Sequence, residues 1–168
     1  MGFNSKFPRN VAYAPKWFGG LGFKHLYCEQ GSLKIQRFSA HIQLQTTLGM
    51  FLLLNVDWLQ QLAGISQHIL EYTKHIEGTR NTWLNNMREF LDYIHGKILL
   101  NNPWTIPIIR QNDSHIMDHT LVPTISKKQQ GIINHVRQYL QVTTFAKLID
   151  NNGINFHKGT CGKTDAHN

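Results

Sequence analysis

Apolar residues recur at helical spacing along most of this chain. Leu26, Leu33, Phe38 and Ile42 fall near one side of a segment running from about Tyr27 to Gln43, while Lys34, Arg37 and His41 share another side at spacings of three and four. That pattern predicts an α-helix with an apolar and a basic face. Thr46 or Thr47 is suited to cap a second helix in which Leu48, Phe51, Leu52, Trp58, Leu59 and Leu62 are buried and which Gly64 ends. A shorter helix is predicted from Ser66 through Ile69 and Leu70 towards Ile76. From Thr82, the positions Trp83, Leu84, Met87, Phe90, Leu91 and Ile94 repeat with the helical period, and Gly96 marks the stop. Ser126 followed by Gln129 is a capping-box pair. It opens a helix with Ile132, Ile133, Val136, Tyr139 and Leu140 expected inside and Lys127, Lys128, Gln130, Arg137 and Gln138 outside.

Between these segments the period breaks. Residues 1–25 contain Pro8, Pro15, Gly19, Gly20 and Gly22, which predict a bent, extended connector leading into the first long helix. Pro103 and Pro107 make residues 98–109 an extended loop or edge strand. Asp113 or Ser114 is placed to cap a short helix through Ile116 and Met117. The β-branched run from Gln141 to Thr144 and the Asn-Gly turn signal within Asp150 to Asn155 predict a small hairpin, and the tail from Phe156 onward shows no period. The fold class that follows is mostly α, a bundle of about five helices behind an irregular connector. Residues 1–155 form a single helical domain in this reading, and residues 156–168 form a mobile tail.

Charge adds a direction to this picture. The formal net charge is +7, and up to His41 the chain carries Lys6, Arg9, Lys16, Lys24, Lys34 and Arg37 against Glu29 alone. Basic residues there alternate with Phe7, Tyr13, Trp17, Phe18 and Phe23. A surface of that kind neutralises phosphates and stacks bases. The bland counterpart has Trp17, Phe18 and Phe23 packed beneath the helices, with the charges merely solvated.

Other chemistry is weakly encoded. His115 and His119 stand four apart with Asp113 and Asp118 nearby, but a zinc site takes three or four ligands, and Ile116 occupies the place where a metalloprotease motif has Glu. His25 with Cys28, and His157 with Cys161, offer two ligands from each end of the chain with nothing that forces them together. Residues 159–164 end like a phosphate-binding loop, yet His157 stands where the first glycine belongs. Two cysteines make no disulfide framework, no charged-then-apolar leader opens the chain, and the run from Met50 to Leu54 is far shorter than a membrane span. No metal, cofactor or catalytic residue is therefore assigned, no membrane is expected, and the expected compartment is intracellular, the nucleus included.

Three blocks of sequence carry a resemblance. Phe7-Pro8-Arg9 to Pro15, then Gly19-Gly20-Leu21-Gly22, then His25-Leu26-Tyr27-Cys28-Glu29-Gln30-Gly31 resemble the stretch just downstream of the polymerase core in reverse transcriptases of non-long-terminal-repeat retrotransposons. Asn112-Asp113-Ser114-His115-Ile116-Met117-Asp118 and Arg137-Gln138-Tyr139-Leu140-Gln141-Val142-Thr143-Thr144 look like a later part of the same polyproteins, in the same order. The resemblance implies a thumb or connection element, cut from something larger, that grips template or primer. The palm aspartates of that family lie upstream of these blocks, and the ten acidic residues here are scattered among helix faces and turns. The segment is thus expected to contact RNA or DNA backbone weakly and without sequence preference, through Lys6, Arg9, Lys16, Lys24, Lys34, Arg37 and His41, and to perform no polymerisation itself. The polymerase core of the parent polyprotein is a second implied partner. A helical protein-interaction module, a relic reading frame and a histidine-based enzyme are the other readings.

Overall fold

The computed structural model describes residues 8–79, 82–149, 155 and 156. It is mostly α-helical, as the sequence period predicts. Among the described residues six α-helices follow one another: α1 (Arg9–Tyr13), α2 (Leu26–Gln43), α3 (Thr47–Ala63), α4 (Trp83–Tyr93), α5 (Lys127–Leu140) and α6 (Phe145–Leu148), with 3-10 turns at Lys16–Phe18 and Met117–His119.

Local chemistry sets the starts of the longer helices. Thr46 accepts a hydrogen bond from the Gly49 N–H at 3.0 Å, Thr82 accepts one from Asn85 at 3.2 Å, and Ser126 and Gln129 close the capping box on α5. Each bond satisfies an N–H that the first turn of a helix leaves without an internal partner. Gly64 ends α3 in the left-handed region, at φ 66°. At the end of α4 the left-handed residue is His95, φ 54°, rather than the predicted Gly96, whose N–H instead reaches back to the Leu91 carbonyl at 2.8 Å.

The core is built where α2, α3 and α4 meet. Phe38 of α2, Val56, Leu59 and Ala63 of α3, and Leu84 and Met87 of α4 are buried together with Met117. Gly31 lets α2 approach α4, since a Cβ there would lie 2.1 Å from the Phe90 ring. The same core takes Ile65, Ile69, Leu70 and Ile76 from a segment that is not helical. The helix predicted from Ser66 towards Ile76 is therefore replaced by a buried irregular loop. Buried backbone must be hydrogen-bonded. Here long polar side chains from the surrounding helices do it. Gln60 accepts from the Ile69 N–H at 2.7 Å and donates to the carbonyls of Ile65 and Gln67, and Arg88 donates to the carbonyls of Ile69, Tyr72 and Lys74. Asn134 and Gln138 of α5 reach Glu77 and Gly78 in the same way.

That demand turns α5 over. Arg137, expected on the outside, is 3% exposed, and Asn134 is fully buried beside it. Ile132, Val136 and Tyr139, expected inside, are exposed, while Ile133 and Leu140 are half-buried. Outward apolar positions also appear on α3, where Leu48, Phe51 and Trp58 are exposed and Leu52 and Leu62 half-buried; of the six residues expected in its core only Leu59 is fully buried. The stripe of α3 that faces inward is instead Gly49, Val56, Leu59, Gln60 and Ala63. On α4, Leu84, Met87, Phe90 and Leu91 are buried as predicted, but Trp83 and Ile94, at its two ends, are not.

From residue 8 onward the opening connector is folded rather than extended. After α1 and the 3-10 turn the chain doubles back, with the Leu21 N–H on the Val11 carbonyl and the Phe23 N–H on the Ala12 carbonyl, each at 2.9 Å. Gly22, at φ 66°, sits in the left-handed region where a glycine is favoured. Residues 98–109 hold neither helix nor paired strand, with a bend at 101–102, in keeping with the predicted loop. Asp113 caps a helix, although not the predicted one. Its carboxylate accepts the Ala146 N–H at 2.8 Å, holding the start of α6 from 33 residues away in sequence. His115 and Thr144 form an antiparallel bridge, so the two later sequence blocks lie side by side. A further bridge pairs Ile149 with Phe156 across the expected hairpin, whose Asn-Gly turn lies outside the described residues.

Candidate functional site

Sequence places the basic residues on two elements, and the structure separates them by role. Arg9 opens α1, Lys16 opens the 3-10 turn, and Lys24 precedes α2; all three are exposed, and Lys24 Nζ lies 3.5 Å from the Glu29 carboxylate. Tyr13 and His25, with ring centroids 5.0 Å apart, join the folded connector to the start of α2. Along α2, Arg37 is exposed while Lys34 and His41 are half-buried beside the core-facing stripe of Gly31, Ile35, Phe38 and Ile42. Lys34 to His41 is two helical turns, roughly 10 Å of axis. His41 is the least available of the set, because its Nδ1 is engaged with Thr46 Oγ1 at 3.0 Å, at the corner into α3. Lys6 lies outside the described residues.

The aromatic residues among these cations are open to solvent. Trp17 is 81% and Phe18 79% exposed, their rings 6.2 Å apart, and Phe23 is 46% exposed. The alternative in which these rings pack beneath the helices does not hold. Exposed rings beside Lys16 cost apolar hydration and return nothing to the fold, so they are available to a ligand.

The histidine and cysteine candidates are not brought together. His115 is buried with Nε2 on the Ile106 carbonyl at 3.1 Å, whereas His119 is exposed, with Nε2 2.9 Å from Ser114 Oγ and its ring against Phe145. Each has a structural partner. Cys28 is a half-buried residue in the first turn of α2, and His157 and Cys161 lie outside the described residues. Among the described residues no cluster of three or more His, Cys, Asp or Glu could hold a metal ion. No described helix is long and apolar enough to cross a membrane.

Two surfaces escaped sequence reasoning. The first is the outer face of α5, where Ile132, Val136 and Leu140 with Ile116, Val142 and Leu148 bound an apolar groove of about 200 Å³. The second is the distribution of tryptophan. Trp17, Trp58, Trp83 and Trp104 are all partly or largely exposed, and Trp58 lines a cleft with Trp83 on one side and another with Trp104 on the other. The signal for the first was present as regular apolar spacing, which does not say which side faces in; the second joins residues far apart in sequence and had none.

Against protein-family models, curated proteins and solved structures, the chain finds no match.

Proposed function

We propose that this chain is the helical, post-palm segment of a retroelement reverse transcriptase and that its N-terminal face lies along a nucleic-acid backbone without reading sequence. The observation that carries this reading is the exposure of Trp17 and Phe18 beside Lys16, with Arg9, Lys24 and Arg37 also exposed. Cations release condensed counterions when they meet phosphates, and rings stack on bases of any identity, so affinity follows without specificity. Lys34 adds a charge at the edge of the same helix, and Lys6 precedes the set in sequence. The segment contributes no polymerase aspartates, so its role is to hold a template or primer presented to the core of the parent protein. The experiment is competition. A labelled strand bound to the chain is displaced equally by unlabelled DNA of any sequence and released by modest salt. Sequence-selective displacement would contradict backbone contact.

The outer face of α5 favours a second reading, a helical interaction module. A helix that buries Asn134 and Arg137 and exposes Ile132 and Val136 presents an apolar stripe to a partner. Loss of a co-purifying or self-associated species on Val136→Asp, with nucleic-acid binding unchanged, would mark that as the main role.

A further inference from the structure

One cleft combines aromatic surface, amide groups and positive charge from four separate elements. Trp58 and Gln61 come from α3, Trp104 from the non-helical 98–109 segment, Arg137 and Gln141 from α5 and its cap, and Lys147 from α6. Its volume is about 490 Å³, the size of cavities that take small ligands. Trp58 is 41% and Trp104 40% exposed, so each offers part of its indole to an occupant. Indoles partly exposed on a cleft suit stacking with another flat ring.

The electrostatics of the cleft have one sign. No Asp or Glu among the described residues lines it. Arg137 is desolvated, with its pKa pushed down to about 10, and it remains a cation at neutral pH. Its N–H groups are committed to the carbonyls of Gln61, Leu62 and Val142 and to Asn134 Oδ1, so it acts as a fixed buried charge rather than as a contact. Lys147 is exposed and supplies the cation that an occupant can touch. Gln141 holds φ 57°, a left-handed conformation that glycine would adopt without strain, and at that position it adds an amide to the cleft.

We infer that this cleft receives a nucleotide unit of a single strand, its base stacked on Trp58 or Trp104 and its phosphate on Lys147. The ligand chemistry is a flat heteroaromatic ring joined to an anion. A duplex keeps its bases stacked on one another and cannot offer one to a tryptophan, so the cleft selects single strands. The basic face of α2 has no such selectivity. The two sites share a ligand class but no residues.

The test uses the full chain and a fluorescein-labelled oligouridylate, followed by anisotropy. Trp104→Ala and Lys147→Gln each weaken binding by at least about fivefold, the range for losing one stacked base, while Trp104→Phe, which keeps a ring, retains most of it. Both positions are exposed enough for the variants to fold, which circular dichroism verifies. The same substitutions leave binding to a blunt duplex unchanged. Uridine monophosphate competes only at far higher concentration than the strand. Lys34→Glu with Arg37→Glu, measured in parallel, lowers binding to strand and duplex alike, so failure at either site is visible separately. Parent-like strand binding by Trp104→Ala would overturn the inference whatever the charge reversal does. So would a mononucleotide that binds as tightly as the strand, or occupancy of the cleft by a proline-rich peptide while oligonucleotide binding ignores Trp104.

Discussion

Single residues here are constrained in ways that their type does not announce. Gly31 and Gly131 both lie inside helices, where intrinsic propensity penalises them alike. A Cβ at position 31 would meet three carbons of the Phe90 ring at 2.1–2.3 Å, whereas one at position 131 would meet Glu77 Cβ at an ordinary 3.5 Å. Gly31→Ala should therefore destabilise by about 1–3 kcal/mol through overpacking, and Gly131→Ala should stabilise by about 0.5–1 kcal/mol through reduced backbone entropy. Urea titration decides it; effects of the same sign would mean that α2 and α4 do not meet at Gly31. His68 gives a pH signature. It is buried, with Nδ1 accepting from the Leu70 N–H, and burial holds its pKa below the ordinary 6.5 despite Glu71 and Asp57 nearby. The unfolded chain then binds a proton that the folded chain refuses. The stability His68 provides is complete above about pH 6.5 and is lost as the pH falls towards the folded value. Replacing it with Gln should flatten the pH dependence of the melting temperature in that window. An unchanged slope would place the titrating group elsewhere. Asp113 works in the same direction at lower pH. Burial pushes its carboxyl up, but the N–H groups of Ala146, Ile109 and Ser114 outweigh that and hold it below the usual carboxylate range, so its contribution disappears only in acid.

At the scale of elements, what is local was legible and what depends on distant backbone was not. Thr46, Thr82 and Ser126 cap helices through bonds to residues three positions on, and sequence alone finds them. Residues 66–76 carry apolar residues at spacings that mimic a helix. Their actual conformation depends on Gln60, Arg88 and Asn134, contributed by three different helices, to satisfy carbonyls and N–H groups in the interior. The orientation of α5 follows from the same need. Asn134, Arg137 and Gln138 are spaced as regularly as the apolar residues opposite, and serving buried backbone is what draws that polar side inward. Arg137→Ala should thus cost about 3 kcal/mol or more, because it removes the donor to the carbonyls of Gln61 and Val142 and leaves that of Leu62 to Gln138 alone, while Val136→Asn should change stability by less than about 0.5 kcal/mol. The reverse order in a denaturant titration would restore the orientation expected from sequence. Alpha4 offers a parallel comparison. Phe90→Ala should cost about 3–5 kcal/mol, and Trp83→Ala, more than a third exposed, distinctly less. Equal costs would mean that Trp83 is packed.

For the molecule as a whole, the buried polar scaffold and the exposed apolar and aromatic surface belong to one design. Arg88 and Arg137 hold the interior together through backbone carbonyls and amide oxygens, while Lys24 pairs with Glu29 at the surface. The apolar side chains left outside, on α3, α5 and the opening turn, are then free for other bodies. Of the basic residues named from sequence, Arg9, Lys16, Lys24 and Arg37 are exposed, and Lys34 and His41 are half-buried; the cleft between Trp58 and Trp104 had no sequence signal, because its walls come from residues some 90 positions apart. The central claim is that the N-terminal face binds nucleic acid through charge. The measurement is the affinity for a mixed-sequence duplex as salt is raised, for the parent and for Lys34→Glu with Arg37→Glu. If three to five cations reach phosphates, log K falls against log salt with a slope of about −2 to −4, and the double reversal flattens it by about two units. Binding that ignores salt, or a slope unmoved by the two reversals, would contradict it.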